Sequence, residues 1–104
     1  IYMDLTVMCY KKESDFVTRN IKGETIIVPV KGHVSDLDSI YTLDEVGTFI
    51  WQLLDGQTSI KQIVKNVCNE YDISPEEAEK DIIELVGSLE NAGLIHALAN
   101  NQRE

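Results

Sequence analysis

The sequence predicts a single α+β domain with a winged helix-turn-helix-like outline, in which a three-stranded antiparallel sheet is followed by three helices. Three observations lead to this fold class. Two β-prone runs flank Lys22-Gly23, apolar stripes at helical spacing fill the second half of the chain, and each stripe begins at a capping signal. At 104 residues and 43% hydrophobic content, the chain can form one core but is too short for two.

The first part of the chain favours strands. Alternating apolar residues over 5–10 predict a short strand or a loosely held arm, and the runs 16–21 and 24–30 predict a hairpin. Gly23 can adopt the positive φ that a tight hairpin turn requires. Pro29 should lie near the end of its strand or at a bulge, because proline cannot donate a ladder hydrogen bond.

A third short strand around residues 39–43 leads into the first predicted helix. Thr42 with Glu45 fits a capping box, in which each side chain accepts a hydrogen bond from the other residue's backbone. Gly56 should end this helix, since glycine is favoured just past a helix end. The apolar stripe between these signals consists of Val46, Phe49, Ile50, Leu53 and Leu54.

Two further capping boxes begin at Ser59 and Ser74 and predict the second and third helices. The second helix should end near Asp72. Pro75 occupies the first position of the third helix, where proline is favoured, and Gly93 is placed to cap its end. The stripe that this helix can bury consists of Ala78, Ile82, Leu85, Val86 and Leu89.

The chain therefore divides into three parts. Residues 1–15 are predicted to form an N-terminal arm or short strand, residues 16–95 the domain, and residues 96–104 a tail without an apolar period. No apolar run approaches the roughly 20 residues that span a bilayer, so we expect no membrane association. The two cysteines, Cys9 and Cys68, lack the spacing of a metal clip or redox pair, and reduced thiols in a cytoplasmic protein are expected.

The charge of the chain argues against a nucleic-acid partner. Eighteen acidic residues against nine basic ones give a net charge of -9, which repels phosphate backbones. The predicted third helix would enter a DNA groove in a winged-helix transcriptional regulator, yet Lys80 is its only cation. Its anions are Glu76, Glu77, Glu79, Asp81, Glu84 and Glu90. A DNA-binding regulator and an assembly domain of a larger enzyme nevertheless stay open as alternatives.

The residues offer little catalytic chemistry. His33 and His96 are predicted in a loop and near the tail, where solvated side chains are expected in place of a base or a metal pair. Cys68 lies on the apolar stripe of the second helix, which favours a small buried hydrophobe over a reactive thiolate. The glycines are scattered singly, so no phosphate-binding loop is predicted. We therefore expect neither catalysis nor a cofactor.

Taken in order, several residues resemble the PqqD-like proteins of pyrroloquinoline quinone biosynthesis and the related recognition elements of ribosomally made, modified peptides. The resemblance runs from about residue 16 to residue 95. It rests on Tyr41-Thr42-Leu43-Asp44, Ile50-Trp51, Leu54-Asp55-Gly56, Ile60, Ile63, Asp81-Ile82, Leu89 and Gly93-Leu94-Ile95. The strand ending Ile26-Ile27-Val28-Pro29-Val30 resembles one branch of the same family.

This resemblance implies a non-catalytic chaperone that holds the leader of a precursor peptide and presents it to a modifying enzyme, often a radical S-adenosylmethionine enzyme. It also implies that the leader adds as an antiparallel strand to the edge of the third strand, in a groove walled by the third helix. The acidic wall suggests a leader with apolar anchors and some basic residues. The edge strand would be Ser39, Ile40, Tyr41, Thr42 and Leu43.

The outer face of the third helix is predicted to form the wall of the groove. Ile83 is the strongest single candidate, because a large apolar residue off the core stripe needs a partner to cover it, although burial under the sheet is the alternative. Which alternate residues of the edge strand face the groove stays open. The predicted wall consists of Glu79, Lys80, Ile83 and Val86.

Overall fold

A computed structural model of the chain describes residues 5–29 and 40–98. After a 3-10 turn at Leu5–Val7, the elements follow in one order along the chain. They are β1 (Cys9–Lys12), β2 (Phe16–Ile21), β3 (Glu24–Pro29), β4 (Tyr41–Leu43), α1 (Glu45–Gln52), β5 (Asp55–Ser59), α2 (Ile60–Glu70), α3 (Pro75–Asn91) and β6 (Ile95–Ala97). The predicted α+β class, with a three-stranded antiparallel sheet and three helices, is confirmed; the winged-helix outline is only a loose description.

The predicted sheet has the order β2-β3-β4. Its hairpin turns at Lys22 and Gly23, whose φ angles of 54° and 86° are both positive, as a type I′ turn requires. Gly23 adopts its positive φ without a steric cost, whereas Lys22 adopts a conformation that lysine tolerates less readily than asparagine. Pro29 is the last residue of β3, where no further ladder hydrogen bond is needed from it.

A second antiparallel sheet, of order β5-β1-β6, was not predicted. Cys9 pairs with Ser59 and Lys11 with Asp55, with an irregularity between the two pairs. Gly56, expected to end the first helix, lies inside β5 at a φ of 82°. The expectation was wrong because α1 already ends at Gln52, four residues earlier than Gly56.

The ends of this second sheet hold side-chain hydrogen bonds. The Asp55 carboxylate accepts from the backbone N–H groups of Gln57 and Thr58, each at 2.9 Å, and the Gln57 bond is the main cause that lowers the pKa of Asp55. His96 lies in β6, and its Nδ1 is 2.6 Å from the Glu13 carboxylate. The division of the chain at residues 15 and 95 stays a prediction.

The predicted caps of α2 and α3 are confirmed. Ser59 Oγ accepts from the Gln62 N–H and Ser74 Oγ from the Glu77 N–H, each at 3.2 Å. Gly93 follows the end of α3.

The cap of α1 differs from the prediction. Asp44, not Thr42, is its N-cap, and Asp44 Oδ1 accepts from the Gly47 N–H at 2.8 Å. Thr42 cannot serve this role because the chain stays in the sheet ladder through Leu43.

The core lies between the hairpin sheet and the helices and absorbs the apolar stripes. Each large side chain that it buries contributes about 1.5–3 kcal/mol to folding. A buried hydroxyl pair, Thr25 with Thr48 at 2.8 Å, joins β3 to α1 within it. No helix in the described part of the chain is long and apolar enough to cross a bilayer. The largest fully buried side chains are Ile27, Leu54, Ile60, Ile63, Val67, Ile82, Leu89 and Ile95.

Candidate functional site

A cleft of about 730 Å³ opens between β4 and α3. Its floor is apolar and its rim is acidic. The lining residues are Glu24, Tyr41, Thr42, Leu43, Asp44, Val46, Gly47, Ile50, Ile73, Asp81, Glu84 and Leu85.

β4 forms one side of this cleft and is an edge strand, since β3 is its only neighbour among the described residues. Leu43 is buried and Tyr41 is half-buried against the core, whereas Thr42 is exposed and Ile40 is 56% exposed. Tyr41 and Leu43 therefore face inward, and Ile40 and Thr42 face outward.

The hydrogen-bond pattern of the sheet identifies the backbone groups on its free edge. In a two-residue hairpin, the residues that flank the turn form a hydrogen-bonded pair, and bonded and non-bonded pairs then alternate along the ladder. Ile26 of β3 thus bonds β2, and Ile27 bonds Tyr41 of β4. Thr42, opposite Ile26, directs its N–H and C=O away from the sheet.

α3 forms the other side of the cleft through the face that carries Asp81, Glu84 and Leu85. A hydrogen bond between the hydroxyl groups of Tyr41 and Ser88 joins the strand to this helix. The bond lies at the exposed end of the contact and sets the distance between the two walls.

The structure places the predicted wall residues differently. Val86 is 3% exposed and belongs to the core, and Ile83 is half-buried and packs against that core. Glu79 and Lys80 are exposed, but neither lines the cleft. Three residues of the predicted edge strand line the cleft, namely Tyr41, Thr42 and Leu43. Ile40 directly precedes β4, and Ser39 lies outside the described residues.

The helical geometry of α3 explains why the residues that line the cleft differ from the predicted wall. Successive residues turn by about 100°, so Leu85 lies about 60° to one side of Ile82 and Ile83 about 100° to the other. The helix presents the Leu85 side to β4, and therefore Leu85 takes the place in the cleft that was expected of Ile83. Each flank carries one large apolar residue, so the apolar pattern alone does not distinguish them.

The sequence does not identify several residues that line the cleft, because it assigns their segments only to the hydrophobic core or to a connection between helices. Val46 and Ile50 come from α1, and Ile73 lies between α2 and α3. They supply an apolar floor below the free edge of β4. Around it stand the exposed carboxylates of Glu24, Asp44, Asp81 and Glu84, which favour a cationic ligand over an anionic one.

Comparison with known families identifies the chain. Residues 24–95 match the model of the family described as coenzyme PQQ synthesis protein D, PqqD. The chain belongs to the PqqD family. The matched range contains β3, β4 and all three helices, and therefore the whole cleft of this PqqD family member, whereas β1 and β2 precede it.

A solved structure described as TbiB1 in complex with the TbiA(beta) leader peptide is similar to this PqqD family member. The two chains share 26% sequence identity with a TM-score of 0.70. The similarity covers 86% of this chain and 99% of the other. Comparison with curated proteins gives no match.

Proposed function

We propose that this PqqD family member is a non-catalytic accessory protein that binds the leader of a ribosomally made precursor peptide. The leader adds to the edge of β4 as an antiparallel strand. The observation that carries this proposal is the free backbone edge of β4 directly beside an apolar cleft. The family match and the similarity to a leader-peptide complex support it.

The first step of binding is backbone pairing. Thr42 offers an outward N–H and C=O, and an added strand would exchange hydrogen bonds with both. An open edge of this kind normally promotes aggregation, and its shortness here limits that hazard. Strand addition alone selects no sequence, because it uses only the peptide's main chain.

Selectivity would come from the side chains of the added strand. Alternate side chains point to the same face, so every second residue of the leader would enter the cleft above Ile50, Ile73 and Leu85. Apolar leader residues suit this floor. Basic residues at the ends of the segment suit the carboxylates of Asp81 and Glu84.

The role that follows is presentation of the bound leader to a modifying enzyme, and we propose a radical S-adenosylmethionine enzyme as its class. Both cysteines are free thiols, which suits the reducing cytoplasm in which such a partner would act. No step of this role requires catalysis by the accessory protein itself.

Titration of the isotope-labelled chain with a synthetic leader, taken from a precursor peptide encoded beside its gene, tests the proposal. We expect amide shifts at Thr42 and across residues 81–88. Leu85→Ala should weaken binding about tenfold, because the side chain forms part of the cleft floor.

Ile83→Ala is the matched control, since Ile83 is also half-buried on α3 but lies outside the cleft. It should lower the melting temperature as Leu85→Ala does while leaving leader affinity unchanged. Equal losses of affinity in both variants, or shifts that avoid β4, would show that the leader binds elsewhere.

A further inference from the structure

The opposite edge of the same sheet borders a second recess, with a volume of about 430 Å³. We call it the β2 recess. It is lined by aromatic, amide, hydroxyl and cationic side chains. Its residues are Lys12, Phe16, Thr18, Arg19, Asn20, Thr25, Trp51 and Gln52.

β2 is the other edge strand of the hairpin sheet, and no strand in the described residues pairs with its outer side. It spans six residues, against three in β4. The pairing alternation that begins at the hairpin turn leaves Phe16, Thr18 and Asn20 with N–H and C=O groups directed away from β3. This edge can therefore accept a longer added strand than β4 can.

Lys12 supplies the positive charge in the β2 recess. Arg19 also borders the recess, but alternation along β2 directs the Arg19 side chain to the face opposite to Phe16 and Thr18. The Lys12 ammonium lies 5.1 Å from the centroid of the Trp51 ring, and Phe16 packs against the same ring at 5.6 Å. Partial burial lowers the pKa of Lys12, an effect that Asp55 opposes and Lys11 reinforces. Among the described residues that line the recess, none is a carboxylate. An anionic group placed here would meet Lys12 without a competing acid in the lining.

The outward side of β2 has a different character. Val17 is 54% exposed and Ile21 is 49% exposed, with Arg19 between them. A strand added beside β2 would direct alternate side chains toward the recess and toward these apolar residues. The surface thus fits an extended segment in which acidic and apolar residues alternate.

We propose that the β2 edge is a second docking site, which takes an extended acidic segment of a partner protein. Its backbone pairs with Phe16, Thr18 and Asn20, its carboxylates enter the β2 recess beside Lys12, and its apolar residues cover Val17 and Ile21. This site does not depend on what β4 binds, and it would let the chain hold two segments at once.

A synthetic eight-residue peptide of alternating valine and glutamate, the glutamate peptide, tests the proposal. A peptide of the same length with lysine in place of glutamate, the lysine peptide, is the control. Trp51 is the only tryptophan in the chain, so its fluorescence reports the β2 recess. The glutamate peptide should change that fluorescence and shift the amides of Phe16, Thr18 and Asn20. Its affinity should fall as salt is added, since the contacts are ionic. The lysine peptide should change neither the Trp51 fluorescence nor these amide signals.

Charge reversal provides the matched variants. Lys12→Glu should weaken binding of the glutamate peptide about fivefold or more, whereas Lys61→Glu, the same substitution on the exposed face of α2, should not. Lys12→Gln gives a second variant with a smaller loss if Lys12→Glu fails to fold. Equal weakening by Lys61→Glu would reduce the effect to net charge and overturn the proposal.

Two further outcomes would overturn it. In the first, glutarate binds with the affinity of the glutamate peptide, as read from Trp51 fluorescence, and neither ligand shifts the amides of Phe16, Thr18 or Asn20. The β2 recess would then be a pocket for small anions. Binding of the glutamate peptide with shifts at Thr42 would place it on the β4 edge. Throughout, the Thr42 amide reports the β4 edge separately.

Discussion

The two edges of the hairpin sheet have the same backbone chemistry and opposite surroundings. β4 borders an apolar cleft with an acidic rim, whereas β2 borders a recess that contains Lys12 and no lining carboxylate among the described residues. An unpaired strand edge attracts any extended chain. The elements beside each edge, and not the strands themselves, would therefore decide which segment binds.

The origin of this contrast is visible along the sequence. Residues 5–29 carry four basic and three acidic side chains, whereas residues 40–98 carry three basic and eleven acidic ones. β4 faces α3, in the acidic part, and β2 lies beside β1, in the part that is nearly balanced. Charge segregation of this kind steers oppositely charged partners to different faces of one small domain.

Substitution of one residue by proline at each edge should produce the largest effect. Each variant should lose affinity for the peptide that binds its own edge. The outward N–H groups of Thr42 and Thr18 serve only an added strand, so proline removes a donor without disturbing the bonds to β3. Thr42→Pro should weaken leader binding about tenfold or more and spare the glutamate peptide. Thr18→Pro should do the reverse. Calorimetric titration of both variants with both peptides measures the four affinities.

One outcome would remove the distinction between the edges. If either proline variant weakened both peptides equally, the two peptides would share a single edge. Circular dichroism of each variant provides the control for folding.

The elements on which this comparison rests were predictable from the sequence to different degrees. The hairpin, the edge strand and the caps of α2 and α3 have local causes, such as Gly23 at the turn and Ser74-Pro75 at a helix start. Local causes can be read from adjacent residues. The edge strand and its helix partner were therefore correctly predicted as elements.

The second sheet could not be predicted in the same way. β5 consists of Asp55-Gly56-Gln57-Thr58-Ser59, a polar run without alternation, and it is a strand because β1 pairs with it from a distant part of the chain. The face that α3 turns toward β4 is likewise a tertiary property, set by packing and by the bond between Tyr41 and Ser88. Nothing within α3 distinguishes Leu85 from Ile83. The predicted wall and the residues that line the cleft differ for this reason.

Charge reversal on α3 should have a smaller effect on leader affinity at the β4 edge. Glu84→Lys should weaken a basic leader by about threefold to fivefold, because one exposed ion pair is worth less than about 1 kcal/mol. Glu79→Lys changes the net charge equally but lies outside the cleft, so it should leave affinity nearly unchanged. Titrations at low and moderate salt measure both. A larger loss from Glu79→Lys would return the wall to the face first predicted from the sequence.

The smallest expected effect concerns Asp55, a carboxylate that raises the pKa of Lys12 beside the β2 recess. The Gln57 N–H lowers the pKa of Asp55 in the folded chain, so its contribution to stability is complete above the unfolded pKa of about 3.9 and is lost as the pH falls through the lower, folded pKa. Asp55→Asn should therefore lower the free energy of unfolding at neutral pH by about 1 kcal/mol or less, since Asp55 is exposed and solvent screens its contacts. Urea unfolding at neutral pH and at a pH near 2.5 should show this difference shrinking with acid. The same variant removes a counter-charge from the β2 edge, so it should bind the glutamate peptide slightly more tightly and leave the β4 edge unaffected. A difference in stability that grew with acid would contradict the assigned hydrogen bonds.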